Sequence, residues 1–250
     1  MSSTQSAELP YDVFASVYDR FFGPQALPAT LEALCPLLLD QLLPGSRILD
    51  LCCGTGELTQ ALLERGHAVE GIDNSAQMLR LARARLPQVC FEQADMRSFE
   101  RPQRYEAVIC AYNSLPHITS LPELIRVFQN VRRALVPGGK FVFDVYSEEA
   151  YVERWRGSFS QANDDFMCVV NPSYNRQTRI GSNEIRILSR QAPESESRLH
   201  LLTRCYSHQE LHTSLQAAGL QSIDSFDAHR DLRVPGATGR VFWRCMSPAS

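Results

Sequence analysis

Ile48-Leu49-Asp50-Leu51-Cys52-Cys53-Gly54-Thr55-Gly56 reads as an apolar strand that ends in an acid and runs into a glycine turn. Leu58, Ala61 and Leu62 follow at helical spacing, and Gly66 stops that helix. A strand that turns sharply into a helix presents free backbone N–H groups at the carboxyl edge of an α/β sheet, the usual seat for a nucleoside-containing ligand. A dinucleotide fingerprint needs a third glycine three residues beyond the second. Counting from Gly54 puts Thr59 there, and counting from Cys52 puts Glu57 there. The turn therefore does not read as a site for NAD.

Outward from this turn, strands and helices alternate from 46 to about 146, which calls for a parallel sheet covered on both faces. Ala68–Ile72 forms a second strand ending at Asp73, with Asn74 behind it. An acid at that point can accept two hydrogen bonds from ribose hydroxyls. A helix starts at Ser75, carries Met78 and breaks at Pro87; a third strand, Val89–Ala94, then ends at Asp95-Met96. Tyr105–Tyr112 supplies the fourth strand and includes Ala111. A helix starting near Pro122-Glu123 presents Leu124, Phe128, Val131 and Leu135 on one face. Arg133-Ala134-Leu135-Val136-Pro137-Gly138-Gly139-Lys140-Phe141-Val142-Phe143-Asp144 turns from that helix into a fifth strand.

Asp50-Leu51-Cys52-Cys53-Gly54-Thr55-Gly56 resembles motif I, D/E-x-G-x-G-x-G, of the class I S-adenosylmethionine (SAM) methyltransferases, with Cys52 departing from its first glycine. The later landmarks follow in the order of that family as far as Asp144. The resemblance implies a doubly wound, seven-stranded, Rossmann-like α/β sheet with SAM as its cofactor. It implies contacts to SAM from Asp50, Cys52, Gly54 and Gly56 at the turn, Asp73 and Asn74 at the ribose, Met78, Asp95 and Met96 at adenine, and Ala111 near the methionine part. Asp50 has a second reading, in which it holds the turn by accepting backbone N–H bonds. Met78 likewise has a reading as a core gap-filler.

Tyr11-Asp12-Val13-Phe14-Ala15-Ser16-Val17-Tyr18-Asp19 resembles the Y-x-x-x-A-x-x-Y-D opening helix of bacterial small-molecule methyltransferases. That branch includes amino-sugar N-methyltransferases, which also carry an antiparallel insertion after the fifth strand. Phe14 and Val17 read as packing residues. The resemblance gives Tyr11 and Tyr18 a role at SAM, where a phenol face attracts a sulfonium and a hydroxyl binds a carboxylate. Tyr18 is also a candidate catalytic residue. His117, in the Tyr112–His117 segment after the fourth strand, stands where some amino-sugar enzymes have an active-site histidine, and its ordinary pKa suits proton removal at neutral pH. A surface or capping role is the alternative. Arg154, Trp155 and Arg156 either line the acceptor pocket or belong to a solvated loop.

Four segments follow: helices covering the active site (1–45), the SAM-binding core (46–146), an antiparallel insertion on the substrate side (147–206), and the last helix and strands of the core (207–250). Residues 1–10 read as a flexible leader. The helix after it carries Val13, Phe14, Val17, Tyr18 and Phe21, and a second with Leu31, Leu34, Leu38 and Leu42 stops at Pro44-Gly45. In the insertion, 147–164 is mixed, and strands are expected around 166–170, 184–190 and 198–206, with a hairpin loop at 192–197. Leu199, Leu201, Thr203 and Cys205 alternate with His200, Leu202, Arg204 and Tyr206, roughly as in a half-exposed antiparallel strand, and so share one face. Ser207 and Glu210 form a capping box for a helix ending at Gly219, followed by strands over 220–226 and 240–245.

The 250 residues, 44% hydrophobic and 21% charged, suffice for one domain with an embellishment. A net charge of −3 argues against a broad nucleic-acid footprint. No apolar run reaches the roughly 18 residues of a membrane span, and the start lacks signal-peptide features, so a cytoplasmic protein is expected. Cys35, Cys90, Cys110 and Cys168 sit in apolar stretches and read as reduced, buried thiols, and the cysteine spacing suggests no metal site. The chain is expected to be an enzyme transferring a methyl group to nitrogen or oxygen of a small molecule. An RNA methyltransferase and an inactive SAM-binding protein are the alternatives. Neither the acceptor nor the oligomeric state has a sequence signature.

Overall fold

Residues 9–191, 194 and 196–249 are described in a computed structural model. The chain opens with α1 (Pro10–Val17), a π-helical turn (Tyr18–Phe22) and α2 (Gly23–Leu37). Strands and helices then alternate: β1 (Arg47–Leu51), α3 (Glu57–Glu64), β2 (Ala68–Asp73), α4 (Ala76–Arg85), β3 (Phe91–Gln93), β4 (Tyr105–Cys110), α5 (Leu121–Ala134) and β5 (Leu135–Tyr146). The insertion comprises α6 (Glu148–Arg154), β6 (Phe159–Ala162), β7 (Phe166–Asn175), β8 (Ile180–Ser189) and β9 (Glu196–Arg204). The chain closes with α7 (His208–Ala217), β10 (Gln221–Asp227) and β11 (Arg240–Met246).

The main sheet has seven strands in the order β10-β11-β5-β4-β1-β2-β3. Its β5-β4-β1-β2-β3 part is parallel, whereas β11 runs antiparallel to β5 and to β10. Side chains alternate across each strand. Ile48, Ala107, Ile109 and Val142 pack with Leu34 and Leu37 of α2 and Leu58 and Leu62 of α3. Leu49, Val108, Phe141 and Phe143 pack on the other face with Val127 and Phe128 of α5 and Leu211 of α7. Both faces are thus covered, which is why these strands are nearly continuous apolar runs. The expected seven-stranded, doubly wound α/β sheet with an antiparallel insertion is the architecture found.

The insertion forms a second, four-stranded antiparallel sheet in the order β6-β7-β8-β9. Its inner face, with Cys168, Val170, Ile185, Leu199 and Leu201, packs against Phe14 and Val17 of α1. The amino-terminal helix is therefore held between the insertion and the carboxyl edge of the main sheet. Asp12 Oδ1 accepts from Ser75 Oγ (2.6 Å) and from the Gln77 backbone N–H (3.0 Å), fixing α1 to the start of α4. Arg85 reaches both Asp19 (2.7 Å) and Glu57 (2.9 Å), tying the π turn to the glycine turn.

Several local expectations change. The opening helix does not stop before the second one; the π turn carries it into α2. That helix ends at Leu37 instead of continuing to Leu42, because Leu38 leaves helical geometry (φ −145°) after Pro36. Leu135 begins β5 and is not the last residue of a helix. The mixed stretch 147–164 contains α6 and the edge strand β6, whose exposed residues gave no alternation to read. Cys90 is exposed, since β3 starts only at Phe91, and Cys35 is half-buried. Of the expected leader (1–10), residues 1–8 lie outside the described residues, as do 192, 193 and 195 of the expected hairpin loop (192–197), whose Glu196 and Ser197 already belong to β9. No helix among the described residues is long and apolar enough to cross a membrane.

Candidate active site

At the end of β1 the backbone makes two left-handed steps, Gly54 (φ 55°) and Gly56 (φ 87°). Glycine adopts these without the steric penalty of a Cβ. Cys52 also has a positive φ, 63°, so the residue that replaces the motif's first glycine takes the glycine's conformation. The turn closes onto β2: Gly54 N–H donates to Asp73 Oδ2 (2.9 Å), and Ser75 N–H donates to Asp73 Oδ1 (2.9 Å). Burial pushes the Asp73 carboxyl above its ordinary range, and these N–H donors oppose that shift.

Over the carboxyl ends of β1 to β4 lies a cavity of about 250 Å³. Its wall brings together Tyr11, Tyr18, Cys52, Gly54, Asp73, Asn74, Met78, Asp95, Met96 and His117 from the sequence-derived set. Asp50, Gly56 and Ala111 stand outside that lining. The Asp50 carboxylate is buried and accepts from Thr59 Oγ1 (2.6 Å), with burial pushing its pKa up to about 7. The carboxylate of Asp95 is held at the rim by Arg97, whose Nη2 lies 2.6 Å from Oδ2, and this pairing keeps Asp95 below the usual carboxylate range. Ile72, Met78 and Met96 supply apolar walls between the two acids. An acid at the end of β2, an apolar slot beside it and tyrosine faces opposite suit the ribose, the adenine and the sulfonium of SAM respectively.

A second cavity, of about 320 Å³, opens on the far side of Tyr11, Tyr18, Tyr112 and His117. These four residues line both spaces and form the wall between them. In that wall Tyr11 Oη lies 2.9 Å from His117 Nε2, and His117 Nδ1 lies 3.0 Å from the carbonyl oxygen of Leu202. A carbonyl only accepts, so Nδ1 carries the proton and Nε2 presents its lone pair to the Tyr11 hydroxyl. Burial lowers the His117 pKa to about 4. The imidazole is therefore neutral at neutral pH.

Sequence reasoning did not single out Tyr112, although it opens the segment that carries His117. Tyr112 and its neighbour Asn113 both adopt left-handed backbone (φ 64° and 57°), a conformation uncommon for non-glycine residues and typical of functional turns. Arg97, Asn183 and Thr203 also line the cavities without having been assigned. Thr203 was legible as an inward position of β9 through its alternation with Leu199 and Leu201. Asn183 carried no such signal.

Asp73 is the acid most exposed to test. Asp73→Ala is expected to weaken SAM binding by roughly tenfold or more in titration calorimetry, the scale of one charge-assisted hydrogen bond. Unchanged affinity in a folded variant removes Asp73 from the site.

A family model described as a methyltransferase domain matches residues 48–139. The Bacillus subtilis protein YqeM, a methyltransferase by name, is 33% identical over 183 residues, covering 71% of this chain and 70% of that protein. A Streptomyces venezuelae dTDP-3-amino-3,4,6-trideoxy-alpha-D-glucopyranose N,N-dimethyltransferase is 28% identical over 144 residues, 56% of this chain and 61% of that one. A solved SAM-dependent methyltransferase from Clostridium acetobutylicum superimposes with a TM-score of 0.76 at 20% identity, covering 95% of this chain and 99% of the other.

Proposed function

The chain belongs to the SAM-dependent methyltransferases, and from that premise we propose that it transfers the methyl group to a nitrogen or oxygen of a small molecule held in the second cavity. The observation that carries this reading is the shared wall: Tyr11, Tyr18, Tyr112 and His117 face both the cavity at the glycine turn and the one under the insertion. Two cavities of similar volume meeting at one wall suit a donor and an acceptor of comparable size. The similarity to a sugar N,N-dimethyltransferase supports a nitrogen acceptor.

SAM, when bound, supplies a methyl group on a positively charged sulfur. The protein aligns donor and acceptor, shields them from water and takes up the acceptor's proton. We assign Asp73 and Asn74 to the ribose, Met78, Asp95 and Met96 to adenine, and Cys52, Gly54, Tyr11 and Tyr18 to the methionine end. Asp50, Gly56 and Ala111 support the turn and β4 from behind. His117 Nε2 is the basic atom of the wall, and Tyr11 Oη links it to the space where the acceptor lies. In this reading 1–45 covers the site, 46–146 holds the donor, 147–206 faces the acceptor and 207–250 completes the sheet. The chain works in the cytoplasm on small molecules without a nucleic-acid partner.

A screen of amines, hydroxy compounds and bulk RNA and DNA with methyl-labelled SAM tests the proposal. Label is expected on one class of small molecule and on neither polymer, consistent with the weakly acidic chain. Robust labelling of RNA or DNA overturns the small-molecule reading, and turnover of nothing while SAM binds favours a non-catalytic protein.

A further inference from the structure

The side chains that line the second cavity are aromatic, aliphatic or neutral, with one exception. Phe14, Tyr18 and Phe22, from α1 and the π turn, form one ring cluster on its wall, with the Phe14 and Phe22 centroids 5.3 Å apart. Tyr146 at the end of β5 and Trp155 after α6 form another, set edge to face at 5.7 Å. Val170, Ile185 and Leu201 supply the aliphatic side, from the insertion sheet. Phe159 on the edge strand β6 also lines the cavity and is 44% exposed. A large apolar ring left open beside a cavity is surface that a ligand can cover.

The exception is Arg154, which is engaged elsewhere. The residue is exposed, its guanidinium stands 5.1 Å from the Tyr146 ring, and its Nη2 donates to the carbonyls of Thr238 (2.8 Å) and Gly236 (3.4 Å). No aspartate, glutamate or lysine is among the described residues lining the cavity. A charge buried against such a wall meets no counter-charge, so an uncharged occupant is favoured.

Hydrogen-bonding capacity is sparse as well. The Trp155 indole N–H and the hydroxyls of Tyr112 and Thr203 are buried against protein, beyond a ligand's reach, and Asn113 Oδ1 already accepts from the Tyr146 backbone N–H (3.2 Å). Asn183 differs. It sits on the inner face of β8, with Pro172 of β7 and Leu201 of β9 as its cross-strand neighbours, and all three line the cavity. It is half-buried, and among the described residues its amide makes no hydrogen bond; the Tyr146 hydroxyl is likewise unbonded. Such a wall satisfies one or two polar substituents, whereas a sugar would strand several hydroxyls. A flat ring presents apolar faces to aromatic walls and carries its few polar groups at the edge.

We propose that the methyl acceptor is an uncharged aromatic compound, a phenol or an arylamine, whose ring packs among the two ring clusters and Phe159 while a polar substituent bonds the Asn183 amide. The inference rests on the reading of this cavity as the acceptor site and narrows the class of substrate.

Equilibrium dialysis with S-adenosylhomocysteine present compares 2-naphthol, naphthalene, decahydro-2-naphthol, glucosamine and glucose 6-phosphate. 2-Naphthol is expected to saturate, decahydro-2-naphthol to bind about threefold or more weakly, and neither sugar to saturate. Asn183→Leu, which keeps the shape and removes the amide, should weaken 2-naphthol roughly fivefold, the scale of one neutral hydrogen bond, and leave naphthalene unchanged. Phe159→Ser, at an exposed position, should weaken both. Saturation by no ring compound, equal binding of the saturated alcohol, a sugar bound as tightly as 2-naphthol, or unchanged 2-naphthol affinity in either variant overturns the inference. The reaction is read separately with methyl-labelled SAM. Transfer to a sugar or aliphatic amine without ring binding strikes the aromatic class and spares the reading of the cavity; ring binding that depends on Asn183, without transfer to any small molecule, strikes the reaction and spares the class.

Discussion

Arg240→Met is expected to lower the unfolding free energy by about 3–5 kcal/mol, the scale on which a buried charge loses its partner. Asp144 on β5 is 0% exposed and Arg240 on β11 is 6% exposed, and Arg240 Nε donates to Asp144 Oδ2 at 2.9 Å. Removing the guanidinium leaves the carboxylate in the core, facing only the Asn113 backbone N–H at 3.2 Å. A loss of this size lowers the melting temperature of a chain of this length by roughly 10 °C. Asp144→Leu combined with Arg240→Met should recover most of it, because two apolar side chains leave no stranded charge. A single-variant cost below about 1 kcal/mol in urea unfolding refutes the assignment. The pair also bears on the site: Asp144 orients Asn113, whose Oδ1 accepts from the Tyr146 backbone N–H (3.2 Å), and Asn113 adjoins Tyr112 in the wall. Folded Arg240 variants should therefore lose activity in excess of their loss of stability at assay temperature.

The glycine turn and the two acids after it were legible because local chemistry dictates them. A left-handed turn calls for glycine, acids that close the second and third strands fall at the carboxyl edge of the sheet where the cavity opens, and parallel strands buried on both faces must be apolar over their whole length. The second cavity was not legible in this way. Its wall draws on residues as distant in sequence as Tyr11, His117, Trp155, Asn183 and Thr203. What unites them is the packing of α1 against the inner face of the insertion, a tertiary event with no local signature. Asp50 left two readings open, a ligand contact or an acceptor that holds the turn, and in the structure its carboxylate accepts from Thr59 Oγ1 and stands outside the cavity lining. The π turn at Tyr18–Phe22 was equally hidden: its residues keep helical spacing, and one extra residue per turn leaves that pattern almost unchanged.

His117→Ala should lower turnover by roughly a hundredfold or more while SAM affinity stays within about twofold, because the imidazole stands in the wall and is not part of the donor's proposed contacts. The pH dependence gives a sharper reading. His117 is held near 4 in the folded protein against an ordinary value of 6.5, so Nε2 is unprotonated throughout the neutral range, with its lone pair turned to the Tyr11 hydroxyl. Activity should fall on the acid side as pH approaches 4, and that limb should be missing in His117→Ala. Stability carries the same signature. Because the unfolded chain binds a proton on this histidine that the folded chain refuses, the contribution is present above about pH 6.5 and is lost as pH falls from there toward about 4. The alanine variant should show a correspondingly shallower decline. Tyr11→Phe separates linkage from basicity: it removes the hydroxyl bonded to Nε2 and leaves the base, so the acid limb should persist at reduced turnover. Acceptors that enter as neutral amines need the base less than hydroxyls or ammonium groups, and the His117→Ala penalty should rank in that order. Unaltered turnover with an unaltered acid limb in His117→Ala means that the wall contributes alignment alone.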